Sequence, residues 1–168
     1  MMMPPSLRKL VLLSHVVSSV GWLGAVACFL ALALVGQLGA DETVARAAYV
    51  AMELLGWLVV VPLAFLSLGT GIVQSLGTQW GLLTHYWIAI KLFLTLFATI
   101  VLLVHMYPTS EVAEEAAALN ADFADLHSLR VQLIADAAAG LLTLVFLTAL
   151  SIYKPRGVTR FAPRRDEP

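Results

Sequence analysis

The chain has 168 residues, of which 60% are apolar and 12% charged, and its mean hydropathy is +0.88. Such a composition excludes a water-soluble domain of this length. A formal net charge of −1 offers no basic surface for nucleic acid, and the single cysteine, Cys28, sits in an apolar run with no partner for an intrachain disulfide.

A bilayer-crossing helix takes about 20 residues, and four apolar stretches reach that length: 10–38, 47–76, 86–107 and 129–153. The expected fold is therefore all-α: a polytopic membrane protein whose four transmembrane helices form an up-down bundle with a short outer amphipathic helix. Residues 1–153 make one transmembrane domain and 154–168 a basic tail. The first two stretches approach 45 Å in length at about 1.5 Å per residue, which requires tilt or projection beyond the lipid. Leu38-Gly39-Ala40 ends the first stretch with small residues, but its apolar length exceeds that of a signal peptide, so it is expected to stay uncleaved. Pro62 should kink the second.

Arg8 and Lys9 precede the first span, while Lys154, Arg156, Arg160, Arg164 and Arg165 follow the last. The positive-inside rule then places both termini in the cytoplasm of a multi-pass bacterial inner-membrane protein. Asp41, Glu42 and Arg46 of the first connection, and Glu111, Glu114, Glu115, Asp122 and Asp125 of the third, fall outside. In the third connection Pro108-Thr109-Ser110 should end one helix and cap a short outer one reaching Leu119, its acidic first turn matched to the helix dipole. Asn120-Ala121-Asp122 should break it before the fourth span.

One residue disturbs the apolar pattern most. Lys91 lies inside the third span, where an ammonium costs roughly 2.5 to 3.5 kcal/mol at a helix centre, so it either snorkels to the headgroups or faces a polar interior. His15 is seven residues past Arg8 and Lys91 seven past Thr84, which puts both about 10 Å from the cytoplasmic end. On the first helix His15, Ser18, Ser19 and Trp22 share one stripe, and Gly21 with Ala25 offers a close-approach pair. On the third, Lys91, Thr95, Ala98, Leu102 and His105 form a seam facing the bundle.

His15 is open to two readings, a neutral imidazole hydrogen-bonded across helices or a metal ligand. His85 reads as an interfacial residue beside Tyr86 and Trp87, and His127 as a surface residue. About 21 Å along the axis from Lys91, His105 can be reached by Glu53 and Asp136. These carboxylates either pair structurally, with Arg130 for example, or join His105 as an outer site for a proton, a cation or a divalent transition metal.

His15 and Trp22 stand in a His-x6-Trp-Leu-Gly motif, followed by Trp87-x3-Lys91-Leu92, with Thr70-Gly71 near the end of the second span. These signatures resemble, in order and spacing, the HemJ-type protoporphyrinogen oxidases and, more loosely, the CopD-like copper-resistance membrane proteins. The tail Tyr153-Lys154-Pro155-Arg156-Gly157-Val158-Thr159 is similar to that of uncharacterised actinobacterial integral membrane proteins of the same superfamily. The resemblance implies a b-type haem with His15 on the iron, Lys91 and Trp22 around the cofactor, and membrane oxidoreductase chemistry. It departs from the HemJ pattern after Trp22, where the family has a Pro-Arg-containing segment and residues 25–36 here are plainly apolar. The alternative is a cofactor-free membrane protein that passes a copper-like cation or serves as a subunit of a homo-oligomer or membrane complex.

Overall fold

The computed structural model describes residues 3–39, 41–77, 85–118 and 126–153, together with Pro155, Gly157 and Thr159. Helix starts follow local chemistry. Pro5 opens the first helix, Pro5–Leu38, at a position where its missing N–H costs nothing. Asp41 caps the second, Glu42–Leu76, accepting from the Thr43 N–H at 2.8 Å and the Val44 N–H at 3.4 Å. The third helix is Tyr86–Ala117 and the fourth His127–Tyr153. All four are long and apolar enough to cross a membrane.

The second helix and the outer segment differ from expectation in ways that local chemistry explains. The second helix begins at Glu42, five residues before the apolar stretch, because the Asp41 cap supports a turn that hydropathy alone does not register. The disturbance at Pro62 appears as a π turn, Gly56–Val60, in which the Val61 N–H reaches back to the Gly56 carbonyl. The wider turn lies directly ahead of a residue that has no N–H and would crowd the carbonyl four residues earlier.

The outer segment is helical to Ala117, yet Pro108-Thr109-Ser110 does not separate it from the third span. A proline inside a helix costs ~3 kcal/mol. Burial of Val112, Ala113 and Ala116 against the bundle offsets that cost. Arg46 secures the far end: its Nη1 donates to the carbonyls of Glu115, Ala116 and Ala118 at 3.2, 3.3 and 3.0 Å, while Glu42 holds the guanidinium at 2.7 Å. A cation thus meets the orphan carbonyls of a helix C-terminus. The expected break at Asn120-Ala121-Asp122 and most of the basic tail lie outside the described residues.

Around the bundle each helix packs against its neighbour in the chain, and the fourth closes on the first, so the first and third stand diagonally opposite. Chain directions alternate. At one end the Met3 N–H bonds the Gly77 carbonyl at 3.2 Å. At the other, Tyr49 fills the space over Gly36, and Arg130 donates to the Tyr49 hydroxyl at 3.1 Å and the Gly36 carbonyl at 2.9 Å. The guanidinium also lies 5.5 Å from the Tyr49 ring centroid. One apolar cluster, including Tyr49, Met52, Val112 and Leu133, fills this end. A second, with Trp22, Val26, Ala64, Leu144 and Leu147, floors the cavity described next. Gly21 and Ala25 pack inward as their spacing predicted, with Leu63 Cδ1 3.3 Å from where a Cβ on Gly21 would lie.

Candidate functional site

The bundle holds a cavity of about 530 Å³ in the half that contains the N-terminus, lined by all four helices. It brings together His15 and Trp22 of the first helix and Lys91 of the third. The second helix adds Ser67, Gly71, Gln74 and Ser75, and the fourth adds Thr148 and Ser151.

The hydrogen bonds of His15 assign its tautomer. Its Nδ1 is 3.1 Å from the Ser67 carbonyl and 3.1 Å from Thr70 Oγ1. A carbonyl only accepts, and Thr70 commits its own proton to the Leu66 carbonyl at 2.6 Å, so Nδ1 carries the hydrogen. The lone pair is left on Nε2. Gly71 makes room for the ring, since a Cβ there would lie 3.1 Å from His15 Cε1. Ser18 and Ser19 do not extend the site as independent donors: both hydroxyls bond back to the His15 carbonyl, at 3.1 and 2.7 Å, and Ser19 also meets Ser67 Oγ at 2.9 Å.

Lys91 turns inward instead of snorkelling. Its Nζ donates to Ser151 Oγ at 2.6 Å, and Ser151 passes its own proton to the Leu147 carbonyl at 2.9 Å. No carboxylate lines the cavity among the described residues. Three lining residues carry buried polar atoms with no hydrogen-bond partner among the described residues: Trp22 Nε1, Gln74 Oε1 and Ser75 Oγ. Unsatisfied groups cost about 1–3 kcal/mol each, and their concentration around one cavity marks a region not optimised for packing alone.

Beyond Thr70-Gly71, sequence reading missed the contribution of the second helix. Ser67, Gln74 and Ser75 recur with Gly71 at helical spacing in an otherwise apolar stretch, and that stripe was available as a signal. Ser151 offered less, because a serine near a helix end has many roles.

In the other half, His105 Nε2 stands 2.8 Å from Asp136 Oδ2, without the alignment of a hydrogen bond. His105 Nδ1 lies 2.7 Å from the Val101 carbonyl and therefore bears a hydrogen. Two bare lone pairs would repel at the Nε2–Oδ2 distance, so one of the two atoms is protonated. The expected three-residue outer metal site is not assembled: no three His, Cys, Asp or Glu side chains converge among the described residues, and Glu53 does not complete a set with His105 and Asp136. The pair joins the third and fourth helices, and Glu53 stands on the second, where no group of three ligating side chains forms among the described residues. His127 Nδ1 meets Gln37 Nε2 at 3.3 Å, and His85 occupies the N-cap position of the third helix.

No family model, no curated protein and no solved structure matches the chain.

Proposed function

We propose that this multi-pass protein of the bacterial cytoplasmic membrane, with both termini cytoplasmic, binds a b-type haem in its central cavity and serves a redox role. The observation that carries the reading is the state of His15: Nδ1–H is held by the Ser67 carbonyl, leaving the Nε2 lone pair available in a cavity. Metal-bound histidines characteristically anchor their other ring nitrogen in this way. The residues present fit the group. The volume lies within the ~300–1,000 Å³ typical of ligand pockets, the walls are mainly apolar, and Lys91 supplies a cation suited to a carboxylate.

A haem held there would supply one-electron chemistry. His15 would offer Nε2 to the iron, with its ring held by Ser67 and Thr70 and its clearance given by Gly71. Trp22 and the aliphatic lining would exclude water. Arg8 and Lys9 at the cavity end of the first helix support a cytoplasmic assignment for that end. The competing reading, a cofactor-free bundle that passes a cation, draws on the His105–Asp136 pair.

A spectrum decides between them. Protein purified in detergent from haem-replete cells should show a Soret band, which His15→Ala removes or shifts and Lys91→Ala weakens without abolishing. A colourless wild type, or a His15→Ala spectrum identical to it, returns the assignment to the cofactor-free reading.

A further inference from the structure

The cavity walls differ in exposure. Among its lining residues, those on the second and third helices are all buried or half-buried. Exposed lining residues occur only on the first helix, at Leu12, Val16 and Val20, and on the fourth, at Thr148 and Ile152. Val20 is 61% and Ile152 72% exposed, although both line the cavity. These two helices are adjacent, and deeper in the bundle they close, where Val26 packs 3.9 Å from the Cβ position of Gly140 and Arg130 bonds the Gly36 carbonyl. The cavity mouth therefore lies between the first and fourth helices, on the apolar flank of a spanning bundle.

Charge adds a second constraint. Lys91 sits on this cavity with a neutral serine as its hydrogen-bond partner, and no acidic side chain lines the space among the described residues. A desolvated ammonium is stabilised most by an anion brought to it.

We infer that the cavity admits a membrane-dissolved apolar carboxylic acid sideways through the mouth between the first and fourth helices, with the carboxylate at Lys91 and the apolar body along Trp22 and Leu144. The inference rests on the reading of this cavity as a ligand site, and it deepens that reading by giving the ligand's charge and route. It does not depend on a bond between iron and His15.

The test uses the full chain, as purified, in phosphatidylcholine vesicles, with the fluorescent fatty acid parinarate as the probe. Trp22 and Trp87 line the cavity, so energy transfer from tryptophan reports occupancy. The expected result is saturable binding that Lys91→Met weakens about tenfold or more and that parinarate methyl ester does not reproduce. Val20→Trp, at an exposed position in the mouth, should slow uptake about tenfold with less effect on equilibrium binding. Gly24→Ala, outside the cavity lining and with nothing within 4 Å of its Cβ position, should leave parinarate binding unchanged. The Soret band of each preparation is read separately, so failure of this inference and failure of the haem reading are scored on different signals. Equal binding of acid and ester, or indifference to Lys91→Met, overturns the acidic ligand. Unchanged uptake by Val20→Trp overturns the lateral route. Displacement of parinarate by phosphatidylglycerol added at equal mole fraction overturns the carboxylic acid in favour of a lipid phosphate.

Discussion

His15 and Lys91 stand on diagonally opposite helices and line one cavity, the first anchored to the second helix and the second to the fourth. Each polar side chain is thus fixed by a helix adjacent to its own. This arrangement keeps an imidazole nitrogen and an ammonium turned toward shared space without letting them consume each other's hydrogen-bonding capacity.

Thr70 tests how His15 is held. Its hydroxyl accepts from Nδ1 and donates to the Leu66 carbonyl, so Thr70→Val removes one of two acceptors while the Ser67 carbonyl remains. Supporting partners of metal-bound histidines are worth about 10–100-fold in affinity. With one acceptor retained, the haem site proposed above should lose affinity at the lower end of that range, about tenfold, read by haem transfer to an apo-globin acceptor. An unchanged transfer rate would show that Thr70 does not orient the ring.

Glycine substitutions separate packing from propensity. A Cβ on Gly36 would lie 2.5 Å from the Tyr49 ring, and Tyr49 is 1% exposed, with its hydroxyl committed to Arg130. Gly36→Ala should therefore destabilise the bundle by about 1–3 kcal/mol, the usual cost of overpacking. Gly24 and Gly69 have nothing within 4 Å of the same position, so alanine there should be neutral or slightly stabilising. Thermal unfolding of the three variants in one detergent gives the comparison. A Gly36→Ala midpoint equal to that of Gly24→Ala would remove the Gly36–Tyr49 contact from the account.

Some of this was legible in the sequence because bilayer thickness and helical period are strong constraints. They located all four spans, the inward stripe from Lys91 to His105 and the meeting of His15 and Lys91 at one cavity. Less legible were effects that depend on a partner element. Pro108 reads as a stop until the burial of Val112 and Ala116 and the grip of Arg46 on the last carbonyls are known. Arg130 bonds the Tyr49 hydroxyl and the Gly36 carbonyl, partners on the second and first helices that its own helix's sequence does not name. Glu53 shares a level with His105 and Asp136, and depth alone does not bring it to them.

Sidedness is tested at two described positions at opposite ends of the bundle. In a Cys28→Ser background, Arg8→Cys and Glu115→Cys should label from opposite faces of the membrane, with Arg8→Cys reached only after permeabilisation and Glu115→Cys reached from outside. Labelling of both from outside would overturn the up-down topology; the reverse pattern would retain the bundle and invert it.

The His105–Asp136 contact makes the last prediction. The two side chains are 26% and 30% exposed, intermediate between a surface pair and a buried one, and Nε2 and Oδ2 stand 2.8 Å apart. Asp136→Ala leaves Nε2 without its partner and should cost about 1–3 kcal/mol, between the values for exposed and buried pairs. Asp136→Asn brings an N–H that can donate to a neutral Nε2, so it should recover part of that loss when the native proton sits on the carboxyl. If the native pair is imidazolium and carboxylate, the amide oxygen replaces a charge with a dipole and recovery is small. A double-mutant cycle with His105→Ala, measured by unfolding in detergent, isolates the coupling from the cavity each substitution leaves. Additive effects of the two alanine variants would mean that the contact contributes nothing to joining the third and fourth helices.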